Sequence, residues 1–219
     1  MKTRDDGSDG QLVPDDWSLE SLIAAEAGRL GLNLEASAGE ALARFAALFL
    51  KWNAHINLAA VDGPRELVER HFVDAFAASR FVPVATRVVD VGTGGGLPVL
   101  PLALVREDLV FDCFEPIQKK GAFLRTAVRE MNLRSRVSIH AESVESPVKP
   151  PRAQSFDVAM SRATLEPAAW LALGTELVRR PTGRVIVFAT LQSEVGLPSA
   201  DDSLAYGRNR RLLSYTASR

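Results

Sequence analysis

A short hydrophobic strand that runs directly into four glycines is the feature that most constrains the fold of this chain. Residues 88–91 read Val-Val-Asp-Val, and residues 92–98 read Gly-Thr-Gly-Gly-Gly-Leu-Pro. A plain strand-to-helix turn needs one glycine, whereas several let the backbone adopt positive φ angles and let a bulky ligand approach closely. Pro98 is compatible with the first turn of a following helix, where a missing N–H costs little. The segment predicts a ligand-binding turn between a buried strand and a helix.

The rest of the chain after residue 86 alternates short β-branched runs with amphipathic segments. Strand-like runs occur at 87–91, 109–115, 136–140, 156–160 and 184–189. Such alternation is typical of βαβ units and a parallel sheet, in which a ligand lies at the carboxyl ends of the strands. The ending, from residue 204 onward, could add two strands joined by a Gly-Arg-Asn turn at 207–209.

Residues 18–81 have a helical periodicity instead. Leu42, Phe45, Phe49, Trp52 and Ile56 recur at intervals of three and four and so share one helix face. We interpret this stripe as part of the core. Residues 1–16 contain five Asp and are expected to form a mobile acidic tail. The predicted organisation is a tail at 1–16, a helical segment at 17–81 and a ligand-binding domain at 82–219, the last two packed as one compact unit.

Composition excludes several classes of protein. The 219 residues include 26 Lys and Arg against 27 Asp and Glu, and this balance argues against a protein that coats nucleic acid nonspecifically. An RNA partner would therefore have to bind a local basic patch. The single Cys113 cannot form an internal disulfide, and three scattered His offer no metal-ligand spacing. No membrane span and no signal peptide are expected. We therefore expect a cytoplasmic protein without a metal.

Residues in and after the glycine turn narrow the choice of ligand that it could bind. Glu115 follows Gly94 by 21 positions and should project from a strand end, where a carboxylate can accept both ribose hydroxyls of NAD or of S-adenosylmethionine. Leu97 stands where the dinucleotide fingerprint has a small residue, and no Gly-Lys-Ser/Thr of a P-loop follows. Asp90, just before the glycines, suits a cofactor with an ammonium and a sulfonium better than a pyrophosphate. These features favour S-adenosylmethionine and leave NAD as the alternative.

Five sets of residues, in order over roughly residues 40–190, resemble the bacterial small-subunit ribosomal RNA guanine-N7 methyltransferase G family, also called glucose-inhibited division protein B. The sets are Lys51-Trp52-Asn53 with Ile56-Asn57-Leu58, Arg70-His71 with Asp74, Asp90 to Gly94 with Gly96-Leu97-Pro98, Lys119-Lys120 with Phe123-Leu124, and Ser161-Arg162-Ala163. Each set is weak alone, but five in sequence are specific.

The resemblance implies an α/β class I methyltransferase fold, Rossmann-like, with a mostly parallel seven-stranded sheet and an N-terminal helical extension. It also implies S-adenosylmethionine as cofactor, and methylation of guanine N7 in 16S ribosomal RNA or the small ribosomal subunit by a chain expected to be a monomer. The cofactor contacts carried over from the family are Gly92, Leu97, Val144, Glu145 and Arg162, and Glu115 stands where the family often has an acidic residue for the ribose. With Asp90, Gly94 and Gly96 of the glycine turn, these residues make up the predicted cofactor site. The base-positioning set comprises Asn57, His71, Asp74 and Arg162.

No residue is needed as a general base, because the N7 lone pair of neutral guanine is already free. Structural roles compete with the base-positioning ones: His71 could be a satisfied side chain, Asn57 could cap a turn, and Asp74 could pair with Arg70 one helical turn earlier. Lys119, Lys120 and Arg125 are the predicted RNA contacts, although such charges also form solvated helix faces.

The chain departs from the family pattern at three places. Gly95 replaces a usual Pro, Ala59 replaces a common Thr, and residues 189–192 replace a stretch that often contains Lys-Gly. The last departure concerns the target side of the site. Alternatives are therefore a methyltransferase of the same fold acting on another RNA or a small molecule, a non-catalytic cofactor-binding or RNA-binding module and, last, a hydride-transfer enzyme.

Overall fold

The computed structural model describes residues 18–207 and 209–217, so the expected acidic tail at 1–16 lies outside the described residues. Ser18 caps the first helix by accepting a hydrogen bond from the backbone N–H of Ser21 at 3.2 Å. The N-terminal part contains α1 (Leu19–Arg29), α2 (Ala36–Ile56), α3 (Pro64–Leu67), a π-helical turn (Val68–Phe72) and α4 (Val73–Ser79). The helical character expected for residues 18–81 is thus confirmed.

Seven strands and three further helices follow. They are β1 (Arg87–Val91), α5 (Val99–Val105), β2 (Val110–Phe114), α6 (Gln118–Glu130), β3 (Val137–His140), β4 (Val158–Ser161), α7 (Pro167–Leu177), β5 (Arg184–Thr190), β6 (Asp202–Tyr206) and β7 (Arg210–Thr216). The strands form one sheet in the order β3-β2-β1-β4-β5-β7-β6. The first five strands in that order are parallel, and β7 is antiparallel to both β5 and β6. The mostly parallel seven-stranded sheet and its final hairpin are confirmed.

This strand order reverses beside β1. The chain moves outward from β1 to β2 and β3, and then returns to the other side of β1 as β4. In open α/β sheets, a crevice forms at the carboxyl ends of the strands where the order reverses in this way. The segments that follow β1, β2 and β4 therefore meet at one edge.

Aromatic packing joins the N-terminal helices to the sheet. Phe45 and Phe49 of α2 are fully buried, and the Phe49 ring lies edge-on to that of Phe123 on α6, with 5.8 Å between ring centroids. Burying such a side chain contributes about 1.5–3 kcal/mol. A Cβ atom on Gly95 would lie 2.8 Å from Phe49, so α2 packs directly on the glycine turn. The predicted stripe is a core stripe, and it fixes the helical segment above the expected ligand turn.

The described residues contain neither a membrane-spanning helix nor a cluster of metal-ligating side chains. No helix within 18–207 and 209–217 is both long and apolar enough to cross a membrane. Over the same residues, His, Cys, Asp and Glu side chains do not gather in any group of three or more that could hold a metal ion.

Candidate active site

Two adjoining clefts open at the carboxyl edge of the sheet. The first, here called the glycine-loop cleft, has a volume of about 510 Å³ and is lined by residues 58–60, 92–95, 97, 115–117 and 162–164 with Arg70, His71 and Lys120. The second, the hairpin cleft, has a volume of about 380 Å³ and is lined by residues 162–163, 165–167 and 188–190 with Arg70, His71, Asp74, Ser193, Tyr206 and Arg210. His71 and Arg162 line both, so they form part of the wall between the clefts.

The glycines of the turn have different roles. Gly92, Gly94 and Gly96 all have positive φ angles, of 71°, 59° and 77°. A Cβ atom on Gly92 would lie 2.2 Å from Oγ1 of Thr164, and one on Gly96 would lie 2.6 Å from a methyl carbon of Leu100. A Cβ atom on Gly94 would meet nothing closer than 3.8 Å. Gly92 and Gly96 are thus required by packing, whereas Gly94 leaves open space for a ligand.

Glu115 closes this turn from the end of β2. Its side chain is buried, and its two oxygens accept hydrogen bonds from the backbone N–H groups of Gly94 at 2.7 Å and Ile117 at 2.8 Å. Each carboxylate oxygen has a further lone pair, so Glu115 can still accept hydrogen bonds from a diol. The sequence predicted a carboxylate at this strand end, and the structure places it in the glycine-loop cleft.

Asp90 is buried in β1, two residues before Gly92. Its Oδ2 atom has no hydrogen-bond partner within the described part of the chain. Burial raises the pKa of Asp90 to about 7, against the opposing effects of a hydrogen bond with Thr93 and of the charge of Arg162. A buried carboxyl group without a partner is costly, and a nearby cation would relieve that cost. Asp90 is not among the residues that line the glycine-loop cleft, so it would favour a positively charged ligand there by its charge at a distance rather than by direct contact.

Asp74 of α4 collects hydrogen bonds from three other parts of the chain. Its Oδ2 accepts from Arg162, while its Oδ1 accepts from the Tyr206 hydroxyl at 2.8 Å and from Nη1 of Arg210 at 3.1 Å. The alternative pairing of Asp74 with Arg70 was wrong, because Arg70 pairs with Glu66. Arg70 lies within the π-helical turn, which changes the helical register before Asp74 and so separates the two side chains.

His71 is held in one neutral tautomer by Arg162. A guanidinium can only donate, so the contact between Nη2 of Arg162 and Nδ1 of His71 requires Nδ1 to be the acceptor and Nε2 to carry the proton. Burial, together with the charges of Arg162, Arg70 and Arg210, lowers the pKa of His71 to about 3. Nε2 is unpartnered among the described residues. The wall between the clefts therefore contains an uncharged imidazole at neutral pH.

The structure does not bring every predicted residue into these clefts. Asn57 is exposed and ends α2 as its C-cap, with a left-handed φ of 52° and its backbone N–H bonded to the Asn53 carbonyl, so its position here is set by its backbone. Val144 and Glu145 line a separate cavity of about 260 Å³ in the β3–β4 connection. Their assignments to base and cofactor stay predictions, now without support from cleft geometry.

Asn53 was quoted in the sequence pattern but missed as a site residue. Its Oδ1 accepts hydrogen bonds from the backbone N–H groups of Leu58 at 2.7 Å and Ala59 at 3.0 Å, and its amide donates to the Ala59 carbonyl at 3.0 Å. It thereby shapes the loop that lines the glycine-loop cleft. The available signal was an Asn in the last turn of a helix, four residues before another Asn.

The three predicted RNA contacts lie on α6. Lys120 lines the glycine-loop cleft, and Lys119 and Arg125 are exposed. None of the three forms an ion pair with a described residue. Two lysines in the first turn of a helix are unfavourable because that end carries a partial positive charge. This arrangement is suited to binding an external polyanion.

Comparison with known proteins identifies the family of this chain. The family model described as GidB, rRNA small subunit methyltransferase G, matches residues 38–209. The ribosomal RNA small subunit methyltransferase G of Anaeromyxobacter dehalogenans strain 2CP-C is 39% identical over 160 residues, which cover 73% of each chain. The protein of the same name from Myxococcus xanthus is 33% identical over 207 residues, which cover 94% of this chain and 91% of the relative.

Solved structures support the fold alone. A Klebsiella pneumoniae protein provisionally named an O-methyltransferase superposes with a TM-score of 0.54 and 17% identity over 80% of this chain and 89% of its own. TYW2 of P. horikoshii, in complex with MeSAdo, superposes with a TM-score of 0.53 and 13% identity over 66% of this chain and 61% of its own. With the family match over residues 38–209, these comparisons show that the chain belongs to the rRNA small subunit methyltransferase G family.

Proposed function

We propose that this chain transfers the methyl group of S-adenosylmethionine to N7 of a guanine in 16S ribosomal RNA, either free or in the small ribosomal subunit. Family membership supports S-adenosylmethionine-dependent methylation of ribosomal RNA. The observation that carries the finer proposal is that two clefts share a wall containing His71 and Arg162. A methyl donor in one cleft and a base in the other would then meet at that wall.

The glycine-loop cleft would hold the cofactor. When bound, S-adenosylmethionine supplies an electrophilic methyl group on a sulfonium, which the N7 lone pair can displace. The open space above Gly94 admits the ligand, and Glu115 has lone pairs free for its ribose hydroxyls. Gly92, Gly96 and Leu97 shape the turn, and the unpartnered carboxyl of Asp90 would favour the cationic end of the ligand.

The hairpin cleft would receive the target guanine. The edge of guanine that carries N7 presents only acceptors, N7 and O6, whereas adenine presents an amino group in place of O6. Arg162 has N–H groups beyond those bonded to Asp74 and His71, and one of them donating to O6 would leave N7 free to react. This contact would favour guanine over adenine and orient its N7 toward the other cleft.

The charges at the wall suit a reaction in which positive charge moves from sulfur to the base. Arg162 would oppose that movement if its charge were uncompensated, but Asp74 pairs with it. His71 is neutral because its pKa is far below neutrality. The main contribution of these residues is then orientation, which accounts for up to about 7–11 kcal/mol of a barrier in well-aligned reactions.

RNA would be held by Lys119 and Arg125 on the exposed face of α6 and by Lys120 at the glycine-loop cleft. The chain has a net charge of −1, so this local patch would have to provide the attraction for phosphate. We propose that the chain acts as a monomer in the cytoplasm, with 16S ribosomal RNA or the small subunit as its partner. Affinity for RNA should then fall steeply as the salt concentration rises.

The test is transfer of labelled methyl from S-adenosylmethionine to small ribosomal subunits that lack 7-methylguanosine. We expect label in one guanine of 16S RNA, identified as 7-methylguanosine after digestion to nucleosides. Label on another atom or on another RNA would overturn the assignment of N7 or of the substrate. Binding of S-adenosylmethionine with no transfer to RNA would instead indicate a binding module.

A pH dependence of cofactor affinity follows from Asp90. A cationic ligand binds better when Asp90 is ionised, and the proton leaves as the pH rises through about 7. Calorimetry between pH 5.5 and 7.5 should therefore show affinity for S-adenosylmethionine rising with pH, and Asp90→Asn should flatten that rise. Methylthioadenosine, which lacks both the ammonium and the sulfonium, is the control ligand and should bind independently of pH. A rise that survives in Asp90→Asn would contradict this role.

A further inference from the structure

We propose that Tyr206 and Arg210, at the tip of the C-terminal hairpin, are positioning residues for methyl transfer that act through Asp74 on Arg162. This inference rests on the proposed function, because it takes Arg162 as the residue that faces the target base.

The hairpin directs both side chains at one atom. Tyr206 ends β6, Arg210 begins β7, and the two are paired in the strand register. The Tyr206 hydroxyl and Nη1 of Arg210 both donate to Oδ1 of Asp74, at 2.8 and 3.1 Å, and Nη1 of Arg210 also donates to the Arg70 carbonyl at 2.6 Å. Tyr206 and Asp74 are 5% and 3% exposed, so water hardly competes for these bonds. The hairpin therefore fixes the orientation of the Asp74 carboxylate.

The fixed carboxylate in turn fixes Arg162. With Oδ1 of Asp74 occupied by the hairpin, Oδ2 accepts from Arg162, and the other end of the guanidinium is bonded to His71. A planar guanidinium held at two points cannot rotate about its own axis. Arg162 follows β4 directly in a bend, so its orientation depends on these contacts from α4 and the hairpin. Loosening Asp74 would let Arg162 turn in the wall between the clefts.

Stability alone does not account for these hydrogen bonds. Buried ion pairs contribute little net stability compared with apolar residues of similar volume, so stability alone does not explain a cluster of one carboxylate, two guanidiniums and a phenol. Burial and the negative charge of Asp74 raise the pKa of Tyr206 well above its usual range, so its hydroxyl remains a neutral donor. A neutral donor can orient the carboxylate without changing the charge of the site.

The same hairpin offers a matched control. Tyr215 of β7 also donates its hydroxyl to a single acceptor, the Pro198 carbonyl at 3.1 Å, but its side chain packs on the opposite face of the sheet from Tyr206. Tyr206→Phe and Tyr215→Phe each remove one oxygen and one hydrogen bond from this hairpin. Only the first removes a contact to Asp74.

The experiment measures kcat, the KM for S-adenosylmethionine and the melting temperature of both variants with small ribosomal subunits as substrate. We expect Tyr206→Phe to lower kcat by about tenfold, since small misplacements of orienting groups have effects of this order or larger. Its KM for S-adenosylmethionine and its melting temperature should match those of Tyr215→Phe, which should keep the wild-type kcat. In an Asp74→Asn background, Tyr206→Phe should cause no further loss.

Three results would overturn the inference: an unchanged kcat in Tyr206→Phe, equal losses of kcat in both tyrosine variants, or a full additional loss in the Asp74→Asn background. Failure of the proposed function is seen separately, in the wild-type protein. If the wild type does not form 7-methylguanosine in 16S RNA, the proposed function fails before any variant is compared.

Discussion

Replacement of Gly92 by Asp is expected to abolish cofactor binding, with a loss of affinity for S-adenosylhomocysteine of at least about 100-fold, or about 3 kcal/mol. Gly92 has a φ of 71°, in which a residue with a side chain is strained by about 1–2 kcal/mol. Its added Cβ would also lie 2.2 Å from Oγ1 of Thr164, so either Thr164 or the turn must move. Isothermal titration calorimetry with the purified variant measures the loss.

Two further variants separate binding from backbone strain. Gly31 has a similar φ of 76° in the turn after α1, with no atom near its Cβ direction, so Gly31→Asp should bind S-adenosylhomocysteine normally. Gly94→Ala adds a methyl group whose nearest protein atom is the Gly92 carbonyl oxygen at 3.8 Å, an ordinary contact distance, and the variant should fold yet bind more weakly because that methyl occupies ligand space. If both Gly92→Asp and Gly94→Ala bound S-adenosylhomocysteine with wild-type affinity, the assignment of the cofactor to this cleft would be wrong.

Asp74→Asn is expected to lower kcat/KM for methyl transfer by at least about 100-fold, because two guanidiniums lose their common counter-charge beside a cationic reaction. The substitution keeps the shape of the side chain, and its amide oxygen can still accept hydrogen bonds. Leaving buried charges unpaired should also destabilise the fold by about 3–5 kcal/mol. Steady-state kinetics with small ribosomal subunits and thermal denaturation measure the two effects.

Asp112→Asn is the matched control for the loss of stability. Asp112 is buried in β2 and bonded to Arg87 at 2.8 Å and to His140 at 2.8 Å, but it lines neither cleft. This variant should lose stability of the same order and retain its kcat/KM below its melting temperature. Equal kinetic losses in Asp74→Asn and Asp112→Asn would mean that the charge of Asp74 has no particular role at the wall between the clefts.

The parts of the site that the sequence predicted are those fixed by local order along one strand and its turn. Asp90 lies near the end of β1, the glycines follow β1 directly, and Glu115 follows β2, which pairs with β1 in register. Because parallel neighbours end at the same edge, a residue just after β2 must lie near the turn after β1. The alternation of strands and helices gave the parallel sheet for the same local reason.

The cluster around Asp74 could not be predicted from local order. Arg162, Tyr206 and Arg210 lie 88, 132 and 136 residues from Asp74 along the chain. The π-helical turn before Asp74 has no simple sequence signature, and without it a regular helix would place Asp74 beside Arg70. Only the assembled fold shows which of these pairings forms.

The connection between β3 and β4 was unpredictable for a different reason. Residues 141–157 contain Pro147, Pro150 and Pro151 and form no named helix or strand. Neither the helical nor the strand period of hydrophobic residues is present there. The cofactor role predicted for Val144 and Glu145 therefore rested on the family resemblance alone. In the structure they line their own cavity.

Hydrogen-exchange mass spectrometry of the wild-type protein with and without S-adenosylhomocysteine tests the central claim most directly. The account predicts saturable slowing of exchange in peptides that contain residues 92–97 and 115–117, because these backbone segments line the glycine-loop cleft. Binding without any slowing in those peptides, or no binding at all, would contradict it.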